Sequence, residues 1–363
     1  MALFIQDPPS ETGSAPLPAE ASVAPPAPLN HGPAAKTKVT WTVHGQSAAK
    51  PSNDYFGTRA QAVWRHNEDR YRFADTGGGV LAAVSDGAGS SGMYCGPWAE
   101  VLVERLPETP IEGLDALNRW IGGFWEEFSS EFKRRAAADP GKHSKFVREG
   151  SFATLVACWL RKRDDGISLN WFGYGDSPLY VFAEDGGRVA LTACYPPTLA
   201  ALEHDPHLLN WKDLPEETHL KAGTMELNGR TTVILASDGI GQFVLLRHLA
   251  GLHVRGAEGP AAGPPGPAHG LLNEFRSLIR NPNSRLADAA RAHLDAPGSG
   301  FADELTALRA GLQSEPAFVE MIRDHHKEGL LANDDATLVM IDTEACRVDE
   351  AGTDVSEEDA PSP

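Results

Sequence analysis

The chain lacks the features that mark several broad protein classes. It has four cysteines in 363 residues (Cys95, Cys158, Cys194 and Cys346), and their spacing is unpaired. That argues against a disulfide framework and against a cysteine-based metal site. Cys158 stands in an apolar run and reads as a buried thiol. No apolar run is long enough to span a membrane. The start, MALFIQDPPSE, lacks the basic n-region and the apolar length of a secretory signal, so a cytoplasmic location is expected. Basic residues are outnumbered, with 32 Lys and Arg against 50 Asp and Glu, a formal net charge of −18. Such a surface is repelled by nucleic-acid backbone and by anionic lipid, so neither partner is expected. No internal repeat is visible.

What is present is an ordinary globular core between two biased ends. Hydrophobic residues make up 41% of the chain, enough for one large domain. Residues 1–37 are rich in Pro, Ala and Ser and cannot bury enough surface to offset their chain entropy, so they are expected to be disordered. The acidic end, 346–363, reads as a solvated tail, which leaves 38–345 as the folded domain. Within it, KVTWTVHGQS alternates like a half-buried strand, and GGVLAAVSD is a short apolar run ending in polar residues. GPWAEVLVERL has helical spacing. LDALNRWIGGFWEEFSSEFKRRAAA reads as one long helix, with Trp120, Phe124, Phe128 and Phe132 on one core-facing stripe. SFATLVACWLRK, ISLNWFGYGD, PLYVFAED and GRVALTA read as strands, the last two joined by a hairpin turn at AEDGGR. A polar stretch, 195–229, leads to the strand TTVILASDG. Helical patterns then fill 240–330, broken by the loop EGPAAGPPGPAHG, and DATLVMIDT closes the chain as a strand. Hairpins rather than strand–helix alternation predict an α+β fold of antiparallel sheets with helices on their outer faces.

Four acidic islands interrupt this pattern at strand ends: RHNEDR (65–70), SDGAGSS (85–91), LASDGI (235–240) and NDDATL (333–338). An Asp-Gly pair alone is a common surface turn. Four islands of one style, far apart in sequence, are harder to assign to chance. Carboxylates gathered in a fold are costly without a compensating cation. Hard oxygen donors on short loops suit one or two divalent ions such as Mg²⁺ or Mn²⁺, which points to metal-assisted hydrolysis. His325 and His326 also look like a metal pair, but neighbours on a helix point in different directions.

In this order, the islands resemble motifs of the type 2C, metal-dependent Ser/Thr protein phosphatases. EGSFATLV (149–156) resembles that family's Gly-Ser/Ala-Thr strand motif, and GYGDSPLYVF (173–182) is similar to its Gly-Asp-Ser motif. The six motifs span about 65–342. The resemblance implies a four-layer αββα sandwich with a binuclear Mg²⁺ or Mn²⁺ centre that hydrolyses phosphoserine and phosphothreonine on protein substrates. By motif match, Asp86 would bridge two metals. Asp69 and the Gly87 carbonyl would serve one of them, with Glu68 as a neighbour. Asp238 and Asp334 would serve the other, and Asp176 would help hold a weaker third ion. Asp86 and Asp238 would thus be central to catalysis.

The match has gaps. The family's phosphate-binding arginine stands five residues before the motif Asp, where this chain has Trp64; Arg65 is one residue later. A one-residue slip on a strand turns a side chain to the other face, so Arg65, Arg59 or no arginine binds phosphate. Ala88 replaces a His found in many eukaryotic members, and Gln242 stands where some members carry another Asp. Two alternatives to the protein phosphatase stay open. One is a phosphatase-like binding module with little turnover, and the other is a small-molecule phosphatase.

Overall fold

The structure is a computed structural model. It describes residues 36–51, 67–256, 266–281, 283–296 and 300–348. The expected disordered ends therefore lie outside the described residues, save for a few residues at 36–37 and 346–348. These extend the terminal strands slightly beyond the expected 38–345 span, with Lys36 paired to Val348.

Among the described residues, twelve strands build two five-stranded sheets and a small two-stranded one. The first sheet has the order β1 (Lys36–Ala48), β12 (Ala336–Val348), β11 (Gly229–Ala236), β7 (Leu179–Asp185), β8 (Arg188–Tyr195). The second has the order β10 (Leu220–Leu227), β6 (Ile167–Tyr174), β5 (Leu155–Lys162), β3 (Gly79–Ser85), β2 (Arg70–Asp75). The short pair joins β4 (Phe152–Ala153) to β9 (Leu209–Asn210). Each described strand pairing is antiparallel, as the hairpin signals predicted. At the β7–β8 hairpin both loop glycines have positive φ, 51° at Gly186 and 81° at Gly187. A two-residue loop with φ > 0 twice matches the twist of its strands, which explains the Gly-Gly pair.

Why the central strands are continuous apolar runs is clear from where alternate residues go. Val80, Ala82 and Val84 of β3 and Val156, Cys158 and Leu160 of β5 meet Val233 and Leu235 of β11 and Val339 and Ile341 of β12, forming a core between the sheets. The intervening residues face outward but are buried as well. Leu81, Ala83, Leu155 and Trp159 pack under one layer of helices. Tyr180, Phe182, Ile234, Leu338 and Met340 pack under another. A strand covered on both faces needs apolar residues at every position. The result is the expected four-layer αββα sandwich.

The helices over the second sheet are α1 (Cys95–Glu104), α2 (Leu114–Gly122), α3 (Trp125–Ala136) and α4 (Pro140–Glu149). The single long helix expected over 114–138 is broken at Gly122–Gly123, though its aromatic stripe survives. Phe124, Phe128 and Phe132 are buried together, with Phe128 4.9 Å from Trp98 between ring centroids. Over the first sheet lie α5 (Asp238–Val254), α6 (Pro267–Arg280), α7 (Arg285–Asp295), α8 (Phe301–Gly311) and α9 (Glu315–Lys327). The stretch 195–229, expected only as a polar connection, contains β9 and the edge strand β10. Most of β10's side chains are exposed or half-buried, so it carries little apolar signal.

Candidate metal centre

The strands deliver the acidic islands to one end of the sandwich. Asp86 follows the last residue of β3, and Asp69 precedes the first of β2, its antiparallel neighbour. Asp238 follows β11 after one intervening Ser and opens α5. Asp334 and Asp335 precede β12, which runs antiparallel to β11. Asp176 lies between β6 and β7.

The backbone of Asp86 is clamped by Thr154, from the Gly-Ser-Phe-Ala-Thr segment. Its N–H donates to Thr154 Oγ1 at 3.0 Å. Its carbonyl accepts from the Thr154 N–H at 2.9 Å. The Ser85 hydroxyl donates to the Thr154 carbonyl at 2.6 Å, and the Thr154 and Ser177 hydroxyls share a further bond. Two of the motifs named from sequence therefore fasten a third. Two positions of the loop after Asp86, Gly87 and Gly89, leave little room for a side chain. A Cβ at Gly87 would come within 2.8 Å of the backbones of Cys95 and Glu68, and one at Gly89 would overlap the Glu68 carboxylate.

Glu68 itself is drawn to backbone, its carboxylate accepting from the N–H groups of Gly89 and of Gly96 in the first turn of α1. It fastens the glycine loop to a helix N-terminus, where an anion is favoured. Asp69 is buried, and its N–H donates to Asn67 Oδ1 at 2.9 Å. Ser237 and Thr337 side chains bond its carboxylate, but Oδ2 has no hydrogen-bond partner. Asp238 occupies the first turn of α5, with Oδ1 accepting from the Gly239 N–H at 2.5 Å.

Two residues that the motifs did not single out enter the site. Asp335, also buried, accepts from the Lys50 N–H through Oδ1 and from the Glu68 N–H through Oδ2, both at 2.9 Å. Lys50 Nζ donates to Asp334 Oδ1 at 2.6 Å. In NDDATL the two adjacent carboxylates were a visible signal, and the motif match chose only the first. SAAKPSN carries no motif, so Lys50 could be found only in three dimensions. Arg65, with Trp64, His66 and Arg59, lies outside the described residues.

Crowding shows in the proton affinities. Burial, then Asp335 and Asp238, push the Asp69 carboxyl up to about 8. Burial, then Asp69, Asp238, Asp176 and Asp334, push Asp86 well above the carboxylate range. Asp176 rises to about 7 through burial and Asp238, and Asp238 to about 6 through burial and Asp334. Lys50 moves the other way. Burial lowers its affinity, but Asp334, Asp335 and Asp86 outweigh it and hold the ammonium above the ordinary lysine value. Among the described residues, no three His, Cys, Asp or Glu side chains already form a ready metal cage. The donor set nonetheless fits hard divalent ions. Its donors are carboxylate oxygens, one of them buried and unpartnered, and their mutual repulsion is what a cation relieves.

No protein-family model and no curated protein matches this chain. Solved structures do. The catalytic domain of the serine/threonine protein phosphatase PstP, in complex with two manganese ions, shares 15% identity, covering 85% of this chain and 100% of that one, with a TM-score of 0.36. PppA, a regulatory component of the T6SS in Pseudomonas aeruginosa, shares 16% identity over 85% of this chain and 99% of that one, with a TM-score of 0.37. The S. agalactiae serine/threonine phosphatase shares 12% identity over 83% and 99%, with a TM-score of 0.39. In the order of its motifs and in their meeting at one end of the sandwich, the chain resembles the type 2C, metal-dependent Ser/Thr phosphatases.

Proposed function

We propose that this chain is a metal-dependent phosphatase acting on phosphoserine and phosphothreonine in protein substrates. The observation that carries the reading is the gathering of Asp69, Asp86, Asp238, Asp334 and Asp335 at one end of the sandwich, with a buried carboxylate oxygen left unpartnered. A fold retains so costly a cluster when cations compensate it. Asp86, Asp69 and the Gly87 carbonyl would hold one of two Mg²⁺ or Mn²⁺ ions, and Asp86, Asp238 and Asp334 would hold the other. Asp176 would help to hold a weaker third. A pair of such ions supplies a water acidified toward a pKa of ~7, and so hydroxide at neutral pH. The chain's own part is positional. Thr154 and Ser177 hold the Asp86 backbone, Glu68 holds the glycine loop, and Ser237 and Thr337 orient Asp69. No cysteine takes part, and no covalent phosphoenzyme is required. The counter-reaction belongs to a Ser/Thr kinase. A cytoplasmic setting is part of the same reading; among the described residues no helix is long and apolar enough to cross a membrane.

The second reading, a phosphatase-like binding module, draws on Trp64 at the family's arginine position and on the lysine seated on Asp334. Hydrolysis of p-nitrophenyl phosphate and of a phosphothreonine peptide separates the two. Turnover that needs Mg²⁺ or Mn²⁺, stops with EDTA and is lost in Asp86→Asn is the expected result. A folded, metal-loaded wild type without turnover on either substrate would establish the binding module instead.

A further inference from the structure

The carboxylate cluster has its own cation. Lys50 is fastened at both ends to one pair of aspartates: its backbone N–H donates to Asp335 Oδ1 at 2.9 Å and its Nζ to Asp334 Oδ1 at 2.6 Å. The ammonium also lies within electrostatic reach of Asp86, Asp238 and Glu68. It is not placed as a deep structural ion pair. Its side chain is 39% exposed and that of Asp334 46%, whereas Asp69 and Asp335 are buried. The pair is therefore the more solvent-exposed part of the cluster. An exposed ion pair of this kind adds little to stability, because solvent screens it, so holding the fold together is a poor account of it. A lysine is better suited to changing partners, because it carries a point charge on a flexible stem, and here the backbone is pinned to Asp335 while the half-exposed head bonds Asp334.

The geometry points to Lys50 as a counter-cation that exchanges partners: it neutralises Asp334 when the metal positions are empty, and it binds a phosphoryl oxygen of the substrate once cations have taken the carboxylates. This role rests on the phosphatase reading of the site. It assigns the phosphate-binding charge to a residue outside the motifs, in a chain with Trp64 in the arginine's usual place.

Lys50→Gln keeps the backbone bond to Asp335 and removes only the charge, and Lys50→Arg restores the charge. Calorimetric titration with Mn²⁺, and then with inorganic phosphate on Mn²⁺-loaded protein, reads both halves without relying on turnover. Lys50→Gln should bind Mn²⁺ several-fold more tightly, since Asp334 loses a competing cation, and phosphate about tenfold more weakly. Lys50→Arg should recover much of the phosphate affinity. Unchanged phosphate affinity in Lys50→Gln would overturn the phosphate role, and unchanged or weaker Mn²⁺ binding would overturn the exchange. A wild type that binds phosphate through Lys50 yet hydrolyses nothing would defeat the phosphatase reading and leave this one standing. An active enzyme indifferent to Lys50 would do the reverse.

Discussion

At the scale of single residues, the backbone of Asp86 is held by groups that carry no charge. Thr154 gives Asp86 both an acceptor for its N–H and a donor for its carbonyl, and ties in Ser177. Thr154→Val keeps the shape and removes the hydroxyl, leaving the Asp86 N–H and the Ser177 hydroxyl short of a partner. The expected cost is about 1–3 kcal/mol by urea unfolding, with weaker Mn²⁺ binding. A variant as stable as wild type would show that the clamp is incidental. Gly87→Ala should be destabilised as well, because its Cβ meets two backbones rather than a movable side-chain tip. A melting temperature equal to wild type would contradict that. The strand-end loop at Asp86 was legible, since an aspartate beside glycine after an apolar run marks the exit of a strand. Lys50 and Asp335 were not, because their meaning depends on partners at Asp334 and Glu68 that only the fold supplies.

At the scale of elements, α5 links the site to the helical layer. It begins at Asp238 and carries His248, fully buried between Phe182 and Phe301 with ring centroids 5.2 and 4.7 Å away. Neither ring nitrogen has a hydrogen-bond partner. Burial, and then the Arg255 charge, lower its pKa from 6.5 to about 4. The folded state thus takes up the proton less readily than the unfolded chain does. Above pH 6.5 both states are neutral at this site and its contribution to stability is intact. As pH falls from 6.5 toward 4 the unfolded chain gains the proton first, and up to about 3 kcal/mol is lost. His248→Phe, matched to its aromatic surroundings, should flatten that part of the stability–pH curve. An unaltered curve would show that acid sensitivity arises elsewhere. Elements were legible where period and turn chemistry agreed, as at the β7–β8 hairpin. The split at Gly122–Gly123 was hidden because α2 and α3 share one aromatic stripe. The helix α4 was missed although Asp139 caps it and Pro140 opens it, the Asp139 Oδ1 accepting from the Gly141 and Lys142 N–H groups. Edge strand β10 was missed because it buries so little.

At the scale of the whole molecule, the sandwich was legible as a class, because runs such as GVLAAVS can be buried on both faces only between a sheet and a helix layer. The strand order was not. Pairing β1 with β12 joins the two ends of the fold, and local patterns do not encode such distant contacts. Those same distant pairings bring five aspartates together from four separate segments, and the net charge of −18 adds to their repulsion. Cations should therefore stabilise the entire domain. With Mn²⁺ at roughly 100 times its Kd, mass action gives about 2.7 kcal/mol, read as a rise in melting temperature that EDTA reverses. A melting temperature indifferent to both would mean that the cluster is not a metal centre. The most direct test is the stoichiometry of Mn²⁺ binding by calorimetry in wild type and Asp86→Asn. Two ions per chain in wild type, with both sites weakened in the variant because they share Asp86, is the predicted result. A wild type that takes up none, or a variant that binds as wild type does, would contradict the account.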